Sequence, residues 1–314
     1  MHTMNALRAH TRGGPETLTY ETAELAAPAA GEVLVEVTAA GITFDELLWD
    51  LTWTRDGEDR TPIIPSHEFA GVVKAVGAGV DDLHPGDRVY GMVPFDRNGA
   101  AAEYVITPAG HVALAPTSLS SVEAAALPLA GLTAWQALTE QAGVKAGDRV
   151  LVLGGVGGVG AFVTQIAKQL GAHVTATVRP SGADLAQDLG ADAIVDAEHS
   201  ESLAPASFDA VIDTVGGDAL DQAYALVRPG GRLVTLQMPP SQEKAAAAGI
   251  TAIFFVVSAD RGGLTELASL ADAGALRVLI AGTYGLDEGR AAYESGKASG
   301  RRPGKTVVTV KDQP

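Results

Sequence analysis

The sequence predicts an α/β protein that combines a small β domain with a doubly wound parallel sheet. Two observations support this prediction. Residues 4 to about 125 contain short apolar or alternating runs separated by turn residues, a pattern typical of a small antiparallel barrel or sandwich. From about residue 127 to 260, strand-like and helix-like patterns alternate, which indicates parallel strands covered by helices.

The first region has five strand-like runs, and segments rich in proline and glycine separate them. The runs are residues 18–20, 33–38, 68–76, 88–92 and 102–106. A helix-like stretch, 122–138, follows. We expect this helix to lead into the second domain.

A strand, a glycine turn, a helix and a second strand follow one another over residues 148–179. The strands are predicted at 150–153 and 173–178, and the helix ends at about Leu170. Gly155, Gly157 and Gly160 fit the pattern GxGxxG. Glycines in this pattern allow a sharp turn, the approach of a pyrophosphate and close helix–strand packing. We therefore predict dinucleotide binding, with a plain structural turn as the alternative.

Arg179 and Ser181 follow the second strand and bear on the type of dinucleotide. NAD-specific sites place an Asp or Glu about 20 residues after the turn. Here no carboxylate occurs before Asp184, whereas an arginine is suited to bidentate pairing with a 2′-phosphate. This favours NADPH over NADH. The alternative is that Arg179 is a solvated surface side chain.

The alternation continues to residue 257. Helices are predicted at 183–189 and 217–226, and strands at 193–195, 210–213, 231–236 and 251–257. The last run, TAIFFVV, is apolar on both faces, so it is either a covered edge strand or a subunit contact. We predict a homodimer.

The tail contains two helix-like stretches, 263–273 and 286–295, and a strand-like run at 305–310. Its β-rich end indicates that the chain returns to complete the first domain. The predicted domains are therefore 1–126 for substrate and catalysis, 127–260 for the nucleotide, and 261–314 as the return.

Charge and composition limit the possible partners. The 314 residues include 22 Lys and Arg against 38 Asp and Glu, which gives a formal net charge of −16. This charge repels nucleic acid and anionic membranes, so neither is expected as a partner. The chain has no cysteine, which excludes disulfides and thiolate chemistry. No apolar run is long enough to span a bilayer, and residues 1–16 lack a hydrophobic signal core, so we expect a cytoplasmic protein.

Ten segments in order resemble the medium-chain dehydrogenase/reductase superfamily, in particular its zinc-independent quinone oxidoreductase-like branch. They include IPSHEFAGVVKAVGAGV at 64–80, PGDRVYG at 85–91, LVLGGVGGVG at 151–160, FDAVIDTVGG at 208–217 and RPGKTVV at 302–308. The resemblance implies a Rossmann domain for the nucleotide and a GroES-like β-barrel catalytic domain, with the substrate entering between them.

The zinc enzymes of this superfamily hold a catalytic metal on three residues, whose positions align with Thr43, His67 and Leu129. Only the histidine can ligate, and one ligand cannot hold a catalytic zinc that needs three protein donors. We therefore predict no metal. By resemblance, His67 is either held by a hydrogen bond near the cleft or donates a proton to substrate, and Glu68 is a buried structural acid.

The resemblance also assigns nucleotide contacts. They are Thr133, Thr214, Val215 and Gly216 along the ribose and nicotinamide; Gly157, Gly158 and Val159 at the pyrophosphate; Leu236 and Gln237 at a strand end; Phe254, Phe255 and Val256 near the carboxamide; and Lys305 at the cleft. For residues 254–256, packing of a dimer strand is the alternative.

Loops of the first domain are expected to face the acceptor through Thr43, Glu46, Trp49, Trp53 and Phe95. The family commonly has Asn at the first of these positions and Asp at the second, but a threonine hydroxyl still donates to a substrate oxygen. The two tryptophans lie four residues apart. They either pack in the core or line a pocket for a flat or apolar substrate. Segment 48–61 is polar enough to be a candidate lid.

Reduction of a conjugated carbonyl or quinone needs less stabilisation than alcohol oxidation, because the developing negative charge is delocalised onto an oxygen. We therefore predict an NADPH-dependent, zinc-independent oxidoreductase that transfers hydride to a quinone or to the C=C bond of an α,β-unsaturated carbonyl. One alternative is an alcohol or ketone oxidoreductase or a reductive cyclase. Another is a nucleotide-binding protein without turnover.

Overall fold

The chain divides into two units in the computed structural model, which describes residues 2–311. The first unit runs to Leu129 and also contains Ala259–Gly274 and the chain from Val278 onward. The second unit comprises Ala130–Ser258 and Ala275–Arg277. The sequence placed the domain boundaries at 126/127 and 260/261, whereas the compact units have theirs at 129/130 and 258/259, with residues 275–277 in the second unit.

The first part of the chain forms mainly strands. These elements are β1 (His2–Ala9), β2 (Leu18–Leu25), β3 (Glu32–Ile42), α1 (Asp50–Trp53), β4 (Thr54–Arg55), β5 (Glu58–Asp59), β6 (Glu68–Val76), β7 (Arg88–Met92), β8 (Tyr104–Pro108), β9 (Val112–Leu114) and α2 (Ser121–Ala125). Val33, Val35 and Val37 alternate along β3 and belong to a buried cluster with Phe69 and Val73 of β6. This alternation is what makes the segments strands with one buried face.

The middle part alternates strands and helices. Its elements are α3 (Pro128–Gln136), β10 (Arg149–Leu153), α4 (Gly160–Gln169), β11 (His173–Val178), α5 (Ala183–Asp188), β12 (Ala193–Asp196), β13 (Phe208–Asp213), α6 (Gly217–Leu226), β14 (Val227–Thr235), α7 (Gln242–Ala248) and β15 (Thr251–Phe254). The six strands form a parallel sheet in the order β12-β11-β10-β13-β14-β15. The predicted α/β fold class with a doubly wound parallel sheet is confirmed.

The last part contains α8 (Arg261–Asp272), β16 (Ile280–Gly285), α9 (Gly289–Glu294) and β17 (Lys305–Thr309). A seven-stranded sheet of the first unit follows the order β16-β17-β3-β6-β7-β9, with β8 also paired to β3. The final strand therefore completes the sheet that β3 begins, whereas β1 and β2 form a separate two-stranded sheet.

Three predicted elements need correction. The single helix predicted at 122–138 is two helices, because Pro128 starts a new helix and disfavours a helical conformation in the residue before it. The strand predicted at 251–257 ends at Phe254, since its neighbour β14 ends opposite, at Thr235. The helix predicted at 286–295 is α-helical only in α9, between two 3₁₀ turns.

Strand β16 was not predicted. Its sequence, IAGTYG, lacks an apolar alternation, so only its parallel pairing with β17 defines it. Among residues 2–311, no helix is both long and apolar enough to cross a membrane.

Candidate functional site

The glycine turn after β10 is shaped by close backbone packing. Gly154 has a φ of +83°, a conformation that favours glycine, and its N–H donates to the Thr177 hydroxyl at 3.1 Å. A Cβ on Gly160 would lie 2.0 Å from the Gly154 carbonyl oxygen, and one on Gly155 would lie 2.6 Å from the Ala176 Cβ. Two of the predicted glycines are therefore required by the turn itself.

Gly157 differs because it is exposed, and a Cβ there would meet only the Gly154 oxygen, at 3.3 Å. The N–H groups of Gly158 and Val159, just before α4, have no hydrogen-bond partner within residues 2–311. Free N–H donors at the start of a ten-residue helix suit a phosphate oxygen. These residues therefore fit the pyrophosphate of a dinucleotide.

Arg179 and Ser181 lie exposed where β11 ends. Arg179 forms no ion pair with any carboxylate of the described residues, so its guanidinium is available to an external anion. The turn that follows is held against the glycine turn, because Gly182 packs on Val156.

Asp213, the last residue of β13, positions a turn of the candidate site and was not singled out by the sequence. Its buried carboxylate accepts hydrogen bonds from the N–H of Val215 at 3.0 Å and of Gly216 at 2.9 Å, and from the Thr235 hydroxyl at 2.8 Å. It thereby fixes the turn after β13 and ties it to the end of β14. In the sequence, the signal for Asp213 was an acidic residue at the end of a predicted strand, directly before TVGG.

The other predicted nucleotide contacts of the second unit differ in their hydrogen bonds and in their exposure to solvent. The Thr214 hydroxyl donates to the Leu153 oxygen at 2.7 Å, and the Gln237 amide donates to the Thr214 oxygen at 3.1 Å. Of the predicted contacts at the ends of β13, β14 and β15, Gly216 is buried, and those at least partly exposed are Thr214, Val215, Leu236, Gln237, Phe254, Phe255 and Val256. Thr133 is buried in α3.

These turns all follow the carboxyl ends of parallel strands. The chain reverses direction across the sheet between β10 and β13, which is where open α/β sheets bind ligands. The glycine turn, Arg179 and the turn held by Asp213 are thus brought to one edge of the second unit.

In the first unit, Thr43, Glu68 and Lys305 come together. The Lys305 Nζ lies 2.6 Å from Glu68 Oε1 and donates to the Thr43 hydroxyl oxygen at 3.3 Å. Glu68 is fully buried, while Thr43 is partly exposed. The sequence predicted that Lys305 faces the nucleotide, whereas its ammonium contacts Glu68 and Thr43.

Glu46 was predicted to face the acceptor, but it is fully buried. Its carboxylate accepts hydrogen bonds from the Ser66 N–H at 2.9 Å, the Thr43 N–H at 3.4 Å and the Tyr293 hydroxyl. Burial raises the pKa of Glu46 to about 7, although these hydrogen bonds oppose the shift. Its role in this structure is to hold the turn that carries Thr43.

His67 is buried beside Glu46, with 3.6 Å between Nε2 and Oε2. Neither ring nitrogen forms a hydrogen bond of good geometry in the described part of the chain, although the backbone of Pro94 lies close enough to oppose the effect of burial on the ring's pKa. Burial lowers the pKa of His67 to about 3, which leaves the ring neutral near pH 7. A neutral imidazole is a poor proton donor, and this geometry favours packing as its role: the ring meets Phe95 edge-on at 5.1 Å.

The two predicted substrate tryptophans differ in burial. Trp53 is 2% exposed, and its indole N–H donates to the Leu47 oxygen at 2.9 Å, so it belongs to the core and not to a pocket. Trp49 is partly exposed and packs edge-on against Phe95 at 5.3 Å.

Segment 48–61 contains a short hairpin, β4 and β5, with Asp56 and Gly57 at its turn. Beside it is a cavity of about 490 Å³. The cavity is lined by Leu51, Thr54, Arg55, Asp56, Gly57, Phe95 and Asp96. Of the predicted substrate residues, Phe95 is therefore the one that lines this cavity.

No group of three or more His, Cys, Asp or Glu side chains within residues 2–311 is arranged to hold a metal ion.

Two family models match the chain. The model for the alcohol dehydrogenase GroES-like domain matches residues 29–117, and the model for zinc-binding dehydrogenase matches residues 189–308. The first covers five strands of the first unit's main sheet, and the second covers the second unit from Leu189 onward together with the return.

Individual proteins are also similar. The 2-methylene-furan-3-one reductase of Solanum lycopersicum is 35% identical over 292 residues, 88% of this chain and 71% of that protein. The spectinabilin polyketide synthase system protein NorB of Streptomyces orinoci is 33% identical over 307 residues, 91% of this chain but only 14% of that much longer protein. The structure of the quinone oxidoreductase from Coxiella burnetii superposes with a TM-score of 0.89 at 28% identity, covering 99% of this chain and 100% of that one.

Proposed function

Because the chain belongs to the medium-chain dehydrogenase/reductase superfamily, in its quinone oxidoreductase-like branch, we propose that it transfers hydride from NADPH to a conjugated C=C bond or a quinone. That it is an oxidoreductase follows from the family. The cofactor and the acceptor class are the proposal.

One observation carries the choice of NADPH. Arg179 stands exposed at the end of β11 without a carboxylate partner in the described residues, at the position where NAD-specific sites place an acid. When bound there, the dinucleotide supplies the hydride. The chain's part is to bind the phosphates through the N–H groups of Gly158 and Val159 and to position the ring on the turn that Asp213 holds.

The proposed acceptor is a conjugated carbonyl compound or quinone. Only one of the three positions that hold zinc in related enzymes has a metal-ligating side chain, His67, so the acceptor must delocalise the developing charge within itself. The names of the similar proteins support this class, since one reduces a 2-methylene-furan-3-one and another is a quinone oxidoreductase.

Product analysis with NADPH deuterated at the transferred position tests the reaction type. We expect an enone product to carry the label on the carbon β to the carbonyl. Label on a carbinol carbon would instead support the alcohol or ketone oxidoreductase. NADPH binding without consumption across a panel of quinones and enones would support a binding protein and contradict the proposal.

Replacing Arg179 by alanine tests the cofactor. Loss of a charge-assisted pair to a 2′-phosphate should weaken NADPH binding by about 2 kcal/mol, roughly thirty-fold in Kd. NADH binding should stay within about two-fold, since NADH lacks that phosphate. Fluorescence titration measures both. Arg228→Ala, which removes the same charge from the start of β14, is the matched control, and equal losses for both nucleotides would show that the assignment is wrong.

We also propose that the enzyme is a homodimer joined through β15. This strand ends the sheet of the second unit, and beside its end Phe254 and Val256 are 38% and 59% exposed. An edge strand with apolar neighbours is suited to pairing with a second copy. Sedimentation equilibrium should give the mass of two chains, and a single-chain mass at micromolar concentration would contradict the proposal.

A further inference from the structure

Strand register places three polar residues side by side in the first unit. Strand β17 is antiparallel to β3 with Thr306 opposite Ile42, and β6 is antiparallel to β3 with Glu68 opposite Gly41. Lys305 and Thr43 each lie one residue beyond the first pair, so they face each other. Glu68 reaches the same point from the other side of β3.

Lys305 and Glu68 form a buried ion pair. Glu68 Oε1 lies 2.6 Å from the ammonium, and Oε2 accepts a hydrogen bond from the Leu129 N–H at 3.0 Å. Gly41 makes room for this carboxylate, because a Cβ there would lie 2.6 Å from Oε1. Lys305 is itself only 7% exposed. A positive charge is thus fixed where it hardly meets solvent.

Thr43 connects this charge to the surface. An ammonium group only donates hydrogen bonds, so Lys305 occupies a lone pair of the Thr43 oxygen and leaves the hydroxyl hydrogen free to donate elsewhere. Thr43 is partly exposed. Its backbone is held in place as well, since its N–H donates to Glu46 and its carbonyl accepts from the Glu46 N–H at 3.1 Å.

We propose that the Thr43 hydroxyl, polarised by Lys305, binds the carbonyl or quinone oxygen of the hydride acceptor. The inference rests on the proposed function and assigns an oxyanion site to it. As hydride adds to the β carbon, the C=C electron pair moves toward the carbonyl carbon and the C=O pair moves onto oxygen, where negative charge meets the Thr43 donor. Water then supplies a proton, to the α carbon of the enolate as the C=O bond re-forms, or to the oxygen when the acceptor is a quinone, which completes the product and leaves hydroxide.

In this proposal Thr43 is the catalytic residue and Lys305 a positioning residue that acts through it. The sequence analysis assigned Lys305 to the nucleotide. In this proposal Lys305 acts on the acceptor oxygen instead. Glu68 keeps the lysine in place, and removing it alone would leave a buried charge unpaired.

A nitrophenol tests the site without any hydride transfer. Its phenolate resembles the enolate oxygen, and the visible absorbance of the phenolate reports its own ionisation. The titratable groups around Thr43 are Glu46, His67, Glu68, Tyr293 and Lys305, and none of them absorbs visible light. The probe is titrated against the protein with and without NADP⁺.

We expect the wild-type protein to lower the pKa of bound nitrophenol by about one unit, because a donor backed by a positive charge favours the anion. Thr43→Val keeps the shape and the ion pair but removes the hydroxyl, and should lose most of this shift. Thr43→Ser should retain it. The double variant Lys305→Met with Glu68→Gln removes both charges together, so that no buried charge is left unpaired and the variant still folds. It should lose the shift in the nitrophenol pKa although Thr43 keeps its hydroxyl.

An unchanged shift in Thr43→Val, or no binding of nitrophenol to the wild-type protein, would overturn the oxyanion site. An unchanged shift in the double variant would overturn the part assigned to Lys305. If the shifts follow expectation but no enone or quinone consumes NADPH, the proposed function fails while the oxyanion site stands.

Discussion

Replacing Gly160 by alanine should reduce NADPH affinity by about 100-fold, which corresponds to about 3 kcal/mol of binding free energy. The added Cβ would lie 2.0 Å from the Gly154 oxygen, so either the start of α4 or the glycine turn must move. Overpacking of this kind should also lower the free energy of unfolding by about 3 kcal/mol. Urea denaturation and fluorescence titration measure the two effects.

Gly157→Ala is the matched variant in the same turn. Its Cβ would come no closer than 3.3 Å to the Gly154 oxygen, so the free energy of unfolding should change by less than about 1 kcal/mol. The methyl group would nevertheless stand where a phosphate oxygen is proposed to approach, and NADPH affinity should fall at least about tenfold. A Gly157→Ala protein that binds NADPH like the wild type would show that the pyrophosphate lies elsewhere.

Replacing Glu46 by glutamine should make the protein more stable than the wild type above pH 7, with little difference near pH 4. The pKa of Glu46 is about 7 in the folded chain against an ordinary value of 4.5. The folded state therefore binds a proton that the unfolded state has released at pH values between these two. Stability contributed by protonated Glu46 is complete below pH 4.5 and is lost as the pH rises through 7.

The size of this effect follows from the shift. A rise in pKa from 4.5 to about 7 corresponds to about 3 kcal/mol of unfolding free energy between the two ends of the pH range. Glutamine resembles the protonated acid, so the variant should lack this loss. Unfolding free energies are measured in urea from pH 4 to pH 8. The same substitution at an exposed position, Glu266→Gln, provides the control. A constant difference between Glu46→Gln and wild type across that range would contradict the assigned pKa.

The sequence predicted the parts of the site that are built from neighbouring residues. The glycine turn and Arg179 lie within 26 residues of one another, and the strand–turn–helix pattern around them is local, so periodicity and turn chemistry sufficed. The parallel sheet followed from the same alternation.

Contacts between distant residues were not accessible in this way. Lys305 and Thr43 are 262 positions apart, and only the register of β17 on β3 brings them together. A shift of one residue would turn Lys305 to the other face of the sheet. The two tryptophans were also difficult to place from the sequence. A spacing of four residues predicts that both side chains share one face of a helix, but α1 is only four residues long. Trp53 therefore packs into the core, whereas Trp49 does not.

The position of β17 in its sheet has a consequence for synthesis on the ribosome. Most of the nucleotide-binding unit is one uninterrupted stretch, Ala130–Ser258, so it can fold as soon as that stretch has emerged. The other unit's first segment precedes this stretch but needs β17 beside β3, so its early strands keep an open edge until residues 305–309 have been translated. Newly made protein is therefore most exposed to aggregation through its first 129 residues, and a chaperone that protects this enzyme would act there.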